Sequence, residues 1–118
     1  MPEKAPNAET FLPLTPAIAH ILLALADQDR HGYAIMQEVE RITDGGVRMG
    51  PGTLYGTIKR MIASGLIEEA DERPDPDIDD ERRRYYRATK LGRAVLEAET
   101  ARMAGLVAAA RAKRVRAR

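Results

Sequence analysis

Glycine and proline decide how the apolar residues of this chain can be grouped. Breaks at Thr15-Pro16, Gly45-Gly46, Gly50-Pro51-Gly52 and Ser64-Gly65 divide the first half into short segments, each carrying one apolar stripe at helical spacing. Thr15 is suited to cap a helix whose first residue is Pro16, where a missing N–H costs nothing, and Ile18, Ile21, Leu22 and Leu25 form its stripe to a stop near Asp27. After the polar turn Asp27-Gln28-Asp29-Arg30, Ile35, Met36, Val39 and Ile42 mark a second helix of about three turns that halts before Gly45. A third helix opens at Gly50-Pro51-Gly52, turns Leu54, Ile58, Met61 and Ile62 inward, and ends at Gly65.

Leu66-Ile67-Glu68-Glu69 then suits a strand, and Arg83 to Ala88, with Tyr85 and Tyr86, a second one. The acidic, proline-bearing stretch from Asp71 to Glu81 between them reads as a hairpin loop too long for a tight turn. Thr89 can cap a final helix from Lys90 to roughly Arg111, whose apolar positions are Leu91, Val95, Leu96, Met103, Leu106 and Val107. Residues 1–14, with Pro2, Pro6 and Pro13 and little periodicity, are expected to be a mobile arm, and Arg111 to Arg118 a frayed basic tail.

The expected fold class is mainly α with a small β-hairpin, a winged helix-turn-helix followed by a long C-terminal helix. In that arrangement the third helix enters a DNA major groove and the hairpin approaches the backbone. The expected division is an arm over 1–14, a DNA-binding domain over 15–89 and a dimerisation helix with its basic tail over 90–118. A helix that long exceeds what a compact three-helix core can cover, so Leu91, Val95, Leu96, Met103, Leu106 and Val107 are assigned to a homodimer interface.

Composition narrows the chemistry. At 118 residues one domain is expected, and with aromatics at 4% and no Trp its core must be aliphatic. The absence of cysteine excludes disulfides, thiolate metal sites and thiol nucleophiles, and agrees with a reducing cytoplasm. There is neither a leader-like N-terminus nor a run of about 18 apolar residues, so neither export nor a membrane partner is expected. His20 and His31, the two histidines, fall on different elements, so no metal is expected, and no cofactor either. His31 is given a local role at the start of the second helix. No phosphate loop, nucleophile elbow or acid/base pair is recognisable, which argues against an enzyme.

The net charge of +1 conceals a segregation: residues 66–81 hold nine acidic side chains and one basic (Arg73), residues 82–118 twelve basic and two acidic (Glu97 and Glu99). A basic stretch of that kind attracts polyanions, and double-stranded DNA is the expected partner. On the third helix the face opposite the apolar stripe presents Thr53, Gly56, Thr57 and Arg60, flanked by Tyr55 and Lys59, with no acid interrupting it. Lys59 and Arg60 supply charge for phosphates, and Arg60 also offers a bidentate contact to guanine; a merely solvated face is the alternative. Gly56 in mid-helix costs about 1 kcal/mol relative to alanine, so it is either tolerated or required by close approach of a partner. Tyr33 and Tyr55 either present hydroxyls to phosphate or pack their rings on the core. Arg82, Arg83 and Arg84 either clamp a phosphate strand or pair with Asp79, Asp80 and Glu81. The acidic loop itself should be repelled by DNA and point away from it; a protein-contact role or a weak cation site are the other readings, and a dedicated calcium loop lacks the ligand spacing.

His31-Gly32-Tyr33-Ala34-Ile35, Gly52-Thr53-Leu54-Tyr55, Gly65-Leu66-Ile67, and Arg83-Arg84-Tyr85-Tyr86-Arg87-Ala88-Thr89 with Gly92 together resemble the PadR family of transcriptional regulators, over residues 15 to about 100. The resemblance implies a winged helix-turn-helix that binds operator DNA as a homodimer, usually as a repressor, with the C-terminal helix making much of the dimer contact. The single C-terminal helix is similar to the smaller branch of the family. It further implies a small-molecule effector near the dimer contact, which no residue here identifies; a regulator without an effector is equally compatible. Gly56 departs from the proline the family often has after Leu-Tyr, and Ala88 from a larger aliphatic. Two recognition helices about 34 Å apart would call for an inverted-repeat operator. The competing reading keeps the fold as a protein-interaction module without direct DNA binding.

Overall fold

The computed structural model describes residues 7–70 and 84–114. Helices α1 (Pro16–Ala24), α2 (Gly32–Ile42) and α3 (Pro51–Ala63) pack on one another, and the strands β2 (Ile67–Ala70) and β3 (Tyr85–Ala88) follow, then the long helix α4 (Lys90–Ala112). A two-residue strand β1 (Arg30–His31) makes the sheet three-stranded in the order β1-β3-β2. Both pairings are antiparallel, with Arg30 opposite Tyr86, Ile67 opposite Ala88 and Ala70 opposite Tyr85. The hairpin expected from sequence is therefore a three-stranded sheet, because the turn after α1 is extended enough at Arg30 and His31 to pair with β3. The loop 71–81, together with Arg82 and Arg83, lies outside the described residues, as does the end of the basic tail.

The caps follow the physics of the termini. Thr15 accepts a hydrogen bond from the Ile18 N–H at 3.3 Å with Pro16 in the first turn, and Thr89 accepts from Gly92 N–H at 3.0 Å. His31 caps α2 through Nδ1, which accepts from the Ala34 N–H at 3.0 Å, while its ring and that of Tyr85 form a T-shaped pair with centroids 5.4 Å apart. Helix α1 stops at Ala24, a turn earlier than the stripe suggested; Arg30 Nε donates to the Ala24 carbonyl at 2.8 Å, and Arg93 of α4 to the Ala26 carbonyl just beyond the C-cap at 3.1 Å.

One aliphatic core joins all of these elements. Ile21, Leu22, Leu25, Ile35, Leu54, Met61, Leu66, Ile67 and Val95 are all at most 1% exposed. Val95, assigned from sequence to a dimer interface, is thus a core residue, and Leu91 and Leu96 are half-buried against the same core. The first two turns of α4 belong to the same body as α1, α2 and α3 rather than to a separate segment, because Gly92 lets the helix lie directly on the Leu66 backbone. A Cβ at Gly92 would collide with the Leu66 carbonyl, whose carbon would lie 3.0 Å away.

A second correction concerns the N-terminus. Residues 7–14 are not a free arm: a short 3-10 helix, Ala8–Phe11, packs on α4, and Phe11, Leu12 and Leu14 lie against the core. The Leu14 N–H donates at 2.8 Å to Oε2 of Glu99, a carboxylate only 1% exposed that also accepts from Arg102 Nε at 2.5 Å. These two donors satisfy a buried charge that would otherwise be costly, and they hold the Glu99 carboxyl below its ordinary range, the Arg102 hydrogen bond first.

Candidate nucleic-acid interface

Helix α3 begins at Gly50, which adopts an extended conformation and supplies no side-chain cap, with Pro51 in the first turn. Its leading N–H groups at Gly52 and Thr53 therefore face outward with the positive end of the helix dipole, an arrangement that suits an anion such as phosphate. No carboxylate occurs in the sequence between Asp44 and Glu68. Thr53, Lys59 and Arg60 are exposed on this helix and Gly56 is half-buried. Among the described residues neither Lys59 nor Arg60 has a carboxylate within ion-pair distance.

Thr57 does not belong to that surface. It is 2% exposed, and its hydroxyl donates to the Thr53 carbonyl at 2.7 Å, so it serves the buried side of the helix together with Leu54, Ile58 and Met61. The spacing 54, 57, 58, 61 is the regular apolar stripe, and it was a hydroxyl on an inward position that misled the sequence reading. Ile62, expected inside, is 38% exposed at the edge of the stripe. Arg60 folds back along α3: Nη2 donates to Thr57 Oγ1 at 3.2 Å, and Nη1 would be 3.7 Å from a Cβ at Gly56. An alanine at Gly56 would therefore meet only ordinary contact, and nothing internal demands the glycine.

The two tyrosines separate. Tyr55 is half-buried with its ring over Gly32, where a Cβ would come within 2.7 Å of Cε1 and Cζ, so its main task is to lock α3 onto the start of α2. Tyr33, 46% exposed, stands out from α2. Of the three arginines before β3, Arg84 is described; it is exposed and 3.9 Å from Glu69, while Arg87 pairs with Glu68 at 3.1 Å. The wing cations thus pair with β2, and the acids expected to oppose them, Asp79 to Glu81, lie outside the described residues. Sequence reasoning passed over Arg48, which leads into α3 with its side chain 75% exposed, 3.4 Å from Glu40; a lone cation in the turn between two helices was the available signal.

The quoted motifs converge in space. Thr89 donates to the Gly65 and Leu66 carbonyls at 2.5 and 3.1 Å, Gly92 abuts Leu66, Tyr55 covers Gly32, and His31 meets Tyr85. They are clasps that fix α3 relative to the sheet.

Three helices with the third presented outward, followed by strands and a terminal helix, define a winged helix-turn-helix of the kind used by transcriptional regulators. Residues 21–98 match the transcriptional regulator PadR-like family, and the chain belongs to that family. It is similar to the transcriptional regulator Rv3488 of Mycobacterium tuberculosis, 44% identical over 77 residues, 65% of this chain and 65% of that protein. An uncharacterised 37.1 kDa protein in transposon TN4556 of Streptomyces fradiae is 40% identical over 86 residues, 73% of this chain but 22% of the relative. The chain thus spans less than two thirds of the length of these relatives. Among solved structures, a transcriptional regulator from Clostridium thermocellum superposes with a TM-score of 0.64 at 23% identity, covering 92% of this chain and 96% of that one. A PadR-like regulator from Bacillus cereus gives 0.64 at 21%, covering 86% and 92%. Among the described residues no helix is long and apolar enough to cross a membrane, and no cluster of His, Asp and Glu could hold a metal ion.

Proposed function

We propose that the protein is a sequence-specific DNA-binding regulator that acts as a homodimer, as a repressor, on an inverted-repeat operator. The observation that carries this reading is the exposed surface of α3: a helix start without a side-chain cap, Thr53, Lys59 and Arg60 outward, and no carboxylate from residue 45 to residue 67. In the major groove the N-terminus and Lys59 serve phosphates, and Arg60 and Thr53 read base edges. Tyr33 and Arg84 stand at the periphery as backbone contacts, and Gly56 admits the close approach of the duplex.

Dimerisation is supported by the second half of α4. The face that is buried at Gly92, Val95 and Glu99 continues past the body, where Met103, Leu106 and Val107 are 43%, 66% and 48% exposed. A second copy of this helix would cover that stripe, and Leu96 lies at its inner end.

Binding to duplex DNA flanking the protein's own gene, followed at several salt concentrations, tests the reading. Affinity should fall steeply with salt, and Lys59→Ala with Arg60→Ala should lower it by about two orders of magnitude while leaving the fold intact. Affinity indifferent to salt and to both substitutions would transfer the function to protein contact through the same fold.

A further inference from the structure

Beside α3, the docked N-terminal segment, α1, the second half of α3 and Leu66 border a cleft of about 310 Å³. Phe11, Leu14, Ile18, Met61 and Leu66 form its apolar wall, and Arg60 is the one charged residue that lines it. The outer wall is built, not incidental: the Leu14 N–H is pinned to the buried carboxylate of Glu99 at 2.8 Å. Arg60 has no carboxylate partner among the described residues, and its guanidinium lies along α3 over Gly56 and Thr57. One side chain thus borders both the cleft and the surface proposed for the duplex.

We infer that this cleft binds a small aliphatic carboxylate, its chain in the apolar interior and its carboxylate on Arg60, and that binding withdraws Arg60 from DNA. The wall is mostly aliphatic, and the volume is at the low end of small-molecule sites, which fits an unbranched chain of about eight to ten carbons. The lone cation at the mouth selects an anionic end, since a guanidinium and a carboxylate form the strongest of the charge-assisted pairs open to it. Rotation of the Arg60 side chain carries its charge from the Thr57 side of α3 to the ligand. The regulatory half of this inference rests on the proposed DNA contact of α3; the binding half does not.

The test uses the full chain and decanoate as the probe, with decan-1-ol as its uncharged counterpart. Calorimetric titration without DNA should show saturable binding of one decanoate per chain, weaker by about tenfold or more for decan-1-ol and for Arg60→Gln. Ile18→Trp, which fills the cleft, should abolish binding; Ile18→Phe serves as the second filling variant should the larger ring unfold the chain, with thermal unfolding reporting on the fold of each. Decanoate should also release labelled duplex DNA from the wild type but not from a folded filling variant. Absence of saturable binding at millimolar decanoate, equal binding of the alcohol, or binding undiminished in a folded filling variant would each overturn the cleft. Saturable, Arg60-dependent binding by a protein that shows no affinity for DNA would uphold the cleft and remove the DNA reading instead.

Discussion

Gly92 and Gly56 show how differently one residue type can be constrained. At Gly92 a methyl group would fall on the Leu66 carbonyl, a backbone atom held by the Thr89 N–H and hydroxyl at 3.1 Å each. Gly92→Ala should accordingly cost about 2–4 kcal/mol in a urea unfolding measurement, because α4 must lift off the sheet. At Gly56 the added methyl meets only the tip of Arg60 at 3.7 Å. Gly56→Ala should therefore raise stability by about 0.5–1 kcal/mol through helix propensity, and a simultaneous fall in DNA affinity would identify the approach of a duplex as the reason for the glycine. Glu99 makes a pH-dependent contribution. Its folded pKa lies below the ordinary 4.5, so its stabilising effect is fully present above that value and is lost as pH falls through the lower, folded value. Urea midpoints of wild type and Glu99→Gln should differ at pH 7 and converge as pH falls through the lowered, folded pKa; a gap that stays constant with pH would refute the role of this carboxylate in holding residues 7–14.

The elements that face outward differ in how their charges are occupied. On α3, Lys59 and Arg60 have no carboxylate partner among the described residues, whereas on the wing Arg84 lies 3.9 Å from Glu69 and Arg87 3.1 Å from Glu68. A cation already opposed by an acid gains less from a phosphate, since the acid repels the incoming anion. Arg60→Ala should therefore weaken DNA binding by about tenfold or more, and Arg84→Ala by less than about threefold, in a fluorescence anisotropy titration. Each substitution that removes a true phosphate contact should also reduce the salt slope by about one.

For the molecule as a whole, α4 is the structural reason to expect a pair. Its first turns complete the core through Val95, and its later turns carry Met103, Leu106 and Val107 into solvent on the same helix. Leu106→Glu should leave the monomer's fold unchanged, since that side chain is 66% exposed, while shifting sedimentation at micromolar concentration from dimer to monomer. Operator affinity should fall with it, because two half-sites are no longer bound as one unit. A wild type that sediments as monomer would remove the paired-helix arrangement, and with it the inverted repeat.

Local patterning determined the helices and their caps. Thr15 before Pro16 and Thr89 before Lys90 place two of the starts from sequence, because a side-chain cap depends on residues two or three positions apart, and Pro51 in the first turn places that of α3. Period alone also separated the inward Leu54, Ile58 and Met61 from the outward Lys59 and Arg60. What required the tertiary structure was every feature set by residues far apart in the chain. Arg30 and His31 became a strand only because β3 offered them an open edge, Val95 became core only because Gly92 let α4 settle on Leu66, and residues 7–14 were held only because Glu99 lay 85 positions away to receive Leu14. Periodicity marks which face of a helix is apolar, but what covers that face, the chain's own core or a second molecule, is decided by long-range packing.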